Sequence, residues 1–200
     1  MDRDRNDKES MLPIPGTFHL RGTFQFKRLD DDGEEKDRTP QLADPAFDRE
    51  IRVHLTRFAV HSMRRAQLKV KKWHHAVLTP THLLLGILEG AGSYSLLPND
   101  LETNILIQAV EATLSLGQES EVAVIPVSEN VLSVITAAKR EAHERGIDVI
   151  CRGYQWVGCG PLFLGLLREG DTAAYGKVLT HYGLTYDSMR TSLPWATFFT

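Results

Sequence analysis

Between residues 51 and 73 the apolar positions Ile51, Leu55, Phe58 or Ala59, Met63, Ala66, Val70 and Trp73 succeed one another at steps of three and four. That spacing is one stripe of a helix, and Arg52, Arg57, Arg64, Arg65, Lys69 and Lys72 mostly fall off it. The pattern predicts a single long helix across this stretch. Thr79-Pro80 then reads as N-cap and first helical residue of a short, apolar helix through Leu83, Leu84, Leu85, Ile87 and Leu88 that stops near Gly90. After a turn from Gly92 to Pro98, Leu101, Ile105, Leu106, Ala109, Val110 and Leu114 predict a further helix ending at Gly117.

A polar stretch up to Pro126 separates this half from a second with the same order of signals. Ser128 can cap a helix carrying Val131, Ile135, Ala138 and Ala142 and closed by Gly146. Pro161 opens a short apolar helix through Phe163, Leu164, Leu166 and Leu167 closed by Gly170. Ala173, Ala174, Val178 and Leu179 mark a third helix before Gly183, and Tyr186, Met189 and Leu193 a fourth. Leu83-Leu84-Leu85-Gly86-Ile87-Leu88-Glu89-Gly90 parallels Leu162-Phe163-Leu164-Gly165-Leu166-Leu167-Arg168-Glu169-Gly170, with Gly86 and Gly165 79 residues apart. A duplicated helical unit too small to bury much alone predicts two pseudo-symmetric bundles packed on each other.

The front of the chain differs. Phe18, Leu20, Phe24 and Phe26 alternate on either side of Arg21-Gly22, which predicts a short strand or hairpin within 17–29. Asp30-Asp31-Asp32-Gly33-Glu34-Glu35-Lys36-Asp37 has almost nothing to bury and reads as a solvated linker. The first 50 residues hold nine Lys/Arg against thirteen Asp/Glu, and the remainder fourteen against thirteen, so the net charge of −3 belongs to the front. A pI near 6.2 gives no general attraction to nucleic acid or anionic lipid. No window approaches 18 consecutive apolar residues, and Met1 to Ser10 are too charged for a signal-peptide core, so the reading is a cytoplasmic protein with no membrane association. Cys151 and Cys159 are too few for a disulfide framework, lack Cys-x-x-Cys spacing, and are expected to be reduced.

The second half carries Ala138-Lys139-Arg140-Glu141-Ala142 with Gly146, Val157-Gly158, Leu162 to Gly170, then Ala174, Val178-Leu179, Gly183-Leu184 and Arg190. Together these resemble the N-terminal domain of the Clp chaperone ATPases, a module of two similar four-helix repeats. The first half is a weaker copy, with His75, Thr81-His82 and Leu83 to Gly90 at the corresponding places. The resemblance covers roughly residues 48–193. It implies a mainly α fold of two four-helix repeats (about 48–117 and 127–193) behind an acidic extension (1–47, with the short β-hairpin) and before an aromatic tail (194–200). It also implies a non-enzymatic, cofactor-free module that binds client proteins, adaptors or components of the Clp unfoldase and protease. Thr79, Thr81 and His82 in one copy and Val157, Gly158 and Gly160 in the other would line the partner site at equivalent helix starts, whose free amides suit anionic or polar groups. Bacterial members bind phosphoarginine through an acidic residue in each repeat; Thr81 and Gly160 stand at those places, so a guanidinium loses its bidentate partner and phosphoarginine is not expected. No AAA+ ATPase module follows in the sequence, which reads as a free-standing copy.

Several residues invite other chemistry. Gly170 to Gly176-Lys177-Val178 fails the phosphate-loop pattern on spacing and on the missing hydroxyl. Cys159, between two glycines at a helix start, is the best candidate nucleophile, since the helix dipole would lower its pKa; a thiol enzyme would also need a base such as His143 or His181, and a buried structural cysteine is the favoured reading. His74, His75 and His82 lack a carboxylate or cysteine to complete a metal site, and none is expected. Arg64, Arg65, Lys69, Lys71 and Lys72 wrap around their helix without stacking aromatics beyond Trp73 and read as a solvated face rather than a nucleic-acid site. Trp195, Phe198 and Phe199 are expected to dock on the bundle. The alternatives to a Clp-related binding module are a structural or regulatory partner in an unrelated assembly, and a Cys159-dependent thiol enzyme.

Overall fold

The structure, a computed structural model, describes residues 16–20, 51–90, 96–99, 101–118, 125–145 and 156–193. Its strands are β1 (Gly16–Leu20), β2 (Ile51–Leu55) and β3 (Trp156–Val157). Its helices are α1 (Arg57–Lys72), α2 (Pro80–Leu88), α3 (Thr103–Glu111), α4 (Glu129–Glu144), α5 (Cys159–Glu169), α6 (Ala174–His181) and α7 (Tyr186–Ser192). The chain is mainly helical, as the periodicity implies. Three helices of the first copy and four of the second fall within the described residues. The second half of the predicted hairpin, the acidic run 30–37, Gly146, Cys151 and the tail 194–200 lie outside them.

The long helix predicted from Ile51 begins six residues later. Ile51–Leu55 is a strand, and Thr56 caps α1 by accepting the Ala59 amide at 3.3 Å. Ile51 and Leu55 are four apart, a spacing that satisfies a helix and a strand equally. Val53, buried with Leu55 and off the helical stripe, is what separates the two periods. β2 pairs antiparallel with β1, from Gly16 opposite Leu55 to Leu20 opposite Ile51, and parallel with β3. The predicted strand near Phe18 therefore exists, with β2 as its partner.

The duplication sets the architecture. Thr56 and Ser128 cap α1 and α4, and Thr79 and Gly158 stand at the caps of α2 and α5. Within each copy the two helices cross where a glycine meets the backbone of the facing helix. A Cβ on Gly86 would lie 2.2 Å from the Ser62 carbonyl oxygen, and one on Gly165 would lie 2.5 Å from that of Val134. No side chain fits at either crossing, and the helices approach to backbone contact.

The short extended segments before these helices pair crosswise. Leu55 of the first copy lies beside Val157 of the second, and the Thr56 amide donates to the Val157 carbonyl at 3.1 Å. Leu78 bridges Val127 in the same sense, with its amide donating to Pro126 at 2.8 Å and its carbonyl accepting from Ser128 at 3.0 Å. Each copy thus completes the backbone hydrogen bonding of the other. One apolar core runs through both, and α2 and α5, apolar on every side, lie almost wholly inside it.

Candidate functional site

The start of α2 is organised by histidine. His82 is fully buried at N3, and its Nδ1 accepts from the Thr79 amide at 3.1 Å and from the Thr79 hydroxyl at 2.8 Å. This is a capping box with an imidazole in the place usual for Glu or Gln. The Nε2 of His82 lies 2.8 Å from Nδ1 of His75, whose Nε2 is 2.6 Å from the Ser115 carbonyl. A carbonyl only accepts, so His75 donates from Nε2 and accepts at Nδ1, and His82 donates from Nε2. Both rings are neutral in this chain of bonds. Burial, with the neighbouring His75 second, holds the His82 pKa down at about 4. The ring predicted to face a partner is therefore used inside the fold. Thr79 and Thr81 stay half-exposed and supply the side chains of this helix start.

The equivalent start of α5 has no polar side chain at its cap. Val157, Gly158, Cys159, Gly160 and Pro161 are all buried, and Pro161 stands where the other copy has His82. Cys159 Sγ lies 3.6 Å from the Ser62 hydroxyl on α1. Burial pushes its pKa up to about 11, only partly offset by that hydrogen bond. Desolvation outweighs the helix dipole that would have activated the thiol, and a buried, protonated sulfur has neither access nor nucleophilicity, so Cys159 sits here as a structural cysteine and not as the nucleophile of the thiol-enzyme alternative. α2 and α5 pack against each other, so the two helix starts belong to one interlocked unit.

His75 and His82 are spent on each other, and His74 is exposed on a left-handed backbone, φ 54°. Among the described residues no three metal-ligating side chains cluster. The basic run on α1 divides: Arg64, Arg65, Lys71 and Lys72 are exposed, whereas Lys69 is buried. Lys69 reaches Glu111 at 2.8 Å and also pairs with Glu89, and Lys72 reaches Glu111 at 3.0 Å. Burial by itself would lower the Lys69 pKa, but the two carboxylates more than offset it and the net shift is upward.

Sequence reasoning missed a second buried charge, Glu141 on α4, which is fully inaccessible. Arg190 Nε donates to it at 3.2 Å, Arg168 lies at 3.6 Å, and the Tyr186 hydroxyl also donates to it. Arg190 further reaches Glu144 at 2.6 Å. Above this network opens a shallow cleft lined by Glu144, Arg168, Asp171, Tyr186, Asp187 and Arg190, whose mixed charge selects no single class of ligand. The signal for both networks was the repeat offset, which aligns Lys69 with Glu141 and so hides a pair opposite in charge.

No family model matches the sequence. Among solved structures, a chain from investigations of a malarial protein secretion system superposes with a TM-score of 0.55 at 16% identity, covering 68% of this chain and 88% of that one. The Hsp104 N-terminal domain from Candida albicans gives a TM-score of 0.51 at 16% identity, covering 71% and 90%. The N-terminal domain of the ClpD chaperone from Arabidopsis thaliana gives 0.48 at 20% identity, covering 68% and 90%. The two matches above 0.5, over nine-tenths or nearly so of the solved domains, carry the assignment. The chain shares the fold of the Hsp104 N-terminal domain.

Proposed function

We propose that this chain is a non-enzymatic protein-binding module, working in the cytoplasm, that engages client proteins, adaptors or Clp unfoldase and protease components through the starts of α2 and α5. The observation that carries this reading is the fold shared with the Hsp104 N-terminal domain. Local chemistry supports it. The first amides of a helix have no intrahelical partners, and Thr79 and Thr81 add half-exposed hydroxyls at the α2 start. Val157, Gly158 and Gly160 are buried, so the α5 start shapes the site by close packing and leaves Thr79 and Thr81 as its accessible side chains. The absence of carboxylates at Thr81 and Gly160 turns the site away from phosphoarginine and toward neutral or anionic groups. Nucleic acid is not favoured, since the exposed cations of α1 lack stacking aromatics, and none of the described helices is long and apolar enough to cross a membrane.

Capture on the immobilised full chain tests this. Wild type is expected to enrich a defined set of proteins, and Thr79→Ala with Thr81→Arg to lose that set while keeping its helix content. Equal enrichment by the variant removes the α2 start from the function. The two lost carboxylates favour a second reading, in which the domain keeps its fold and serves a structural role in an unrelated assembly. Retention of a stable complex by the double variant would support that one.

A further inference from the structure

The two buried-charge networks stand at the same places in the two copies with every sign reversed. Lys69 and Lys72 on α1 align with Glu141 and Glu144 on α4, each 72 positions on. Glu89 after α2 aligns with Arg168 on α5, and Glu111 on α3 with Arg190 on α7, each 79 positions on. The contacts correspond too. Lys69 takes Glu89 and Glu111 as Glu141 takes Arg168 and Arg190, and Lys72 reaches Glu111 as Glu144 reaches Arg190.

Little else tells the copies apart at these crossings. Gly86 sits on the backbone of Ser62 and Ala66, and Gly165 on that of Val134 and Ala138, so both crossings seat a glycine at equivalent positions of the facing helix. The apolar faces of α2 and α5, Leu83-Leu84-Leu85-Gly86-Ile87-Leu88 and Leu162-Phe163-Leu164-Gly165-Leu166-Leu167, are nearly interchangeable. Wrong pairings are also close at hand. α1 touches α5 and α2 touches α4 in the native fold, and the strands before them already pair across copies. A chain that packed α1 on α5 through the glycine crossing would bring Lys69 and Lys72 against Arg168 and Arg190. The complementary error, α4 on α2, would bring Glu141 and Glu144 against Glu89 and Glu111. Each error leaves the one buried charge of its helix, Lys69 or Glu141, against like charges and without a partner.

We propose that the reversed polarity of the two networks assigns each copy's helices to one another, selecting the native pairing over a cross-paired bundle within or between chains. Apolar packing supplies the affinity of helix for helix and leaves the choice open; the buried charges make the choice. Paired buried charges add little to stability compared with apolar residues, which is consistent with a role in selection rather than strength.

The test is a cycle of three full-length variants. The first inverts copy one (Lys69→Glu, Lys72→Glu, Glu89→Arg, Glu111→Arg), giving both copies the polarity of the second. Another inverts copy two (Glu141→Lys, Glu144→Lys, Arg168→Glu, Arg190→Glu), giving both the polarity of the first. The third carries all eight changes and restores opposite polarity. Each is refolded from denaturant at low micromolar concentration, and the native monomer fraction is read by size-exclusion chromatography with helix content measured on the monomer peak. Both single inversions are expected to lose several-fold in native monomer to dimers and misfolded species, and the eightfold variant to recover most of it. Arg65 reaches Glu89 at 3.9 Å in the native chain, and Glu89→Arg sets a like charge against it in both the first and the third variant, so that local clash cannot explain a recovery. Losses that merely add in the eightfold variant, or single inversions that refold as well as wild type, overturn the proposal.

Discussion

The imidazole of His82 keeps the α2 cap only while it is neutral, because a protonated Nδ1 cannot accept from Thr79. With a folded pKa of about 4 against 6.5 unfolded, the unfolded chain binds the extra proton first. The contribution of this residue is complete above pH 6.5 and is lost as pH falls toward 4, in the limit about 3 kcal/mol. In His82→Gln the amide still accepts from Thr79 and donates to His75. That variant is expected to fold at pH 7.5 and to show a shallower decline in stability between pH 6.5 and 4 by denaturant titration; an unchanged slope contradicts the neutral relay. The sequence showed His82 at a helix start but not its use. Its partner His75, and the Ser115 carbonyl to which His75 donates, converge only when the ends of α1 and α3 meet, and no local spacing reports that. Cys159 divides in the same way, since its helix start is local and its burial under Ser62 is not.

At the scale of elements, periodicity recovered the helices of the repeats well, because their apolar stripes and caps are short-range signals. Thr79, Ser128 and Thr185 all stand at the caps of helices whose stripes begin just beyond them. β2 was misread because two of its residues fit both periods, and its pairing with β1 and β3 joins segments far apart in the chain. The glycine crossings are the most position-sensitive feature of the helix pairs. Gly86→Ala forces a methyl to within 2.2 Å of the Ser62 carbonyl, and about 1–3 kcal/mol of stability is expected to go, read as a lower denaturation midpoint. Gly183 has nothing within 4 Å of its missing Cβ but holds φ at +75°, so Gly183→Asn, which tolerates that conformation, is expected to be nearly neutral. A Gly86→Ala as mild as Gly183→Asn would mean that the crossing relaxes and does not set the helix spacing.

For the whole molecule, duplication was legible at once from the repeated Leu-rich segments, whereas the interlocking was not. The crosswise pairing of Leu55 with Val157 and of Leu78 with Val127 makes two copies into one domain, and it brings Gly16–Leu20 of the front segment onto the same sheet. Charge reversal between the copies was equally hidden, since aligning like with like discards it. The proposed partner site rests on the surface this arrangement leaves, with Thr81 as the half-exposed side chain at the position where the resemblance puts a ligand contact. The most direct test is a photo-cross-linking residue placed at Thr81 in the full chain, with a matched one at Thr180, exposed on α6, and both irradiated in native lysate. A binding module working through the α2 start yields a discrete adduct from position 81 and none from 180. No adduct from 81, or the same adducts from both positions, contradicts it.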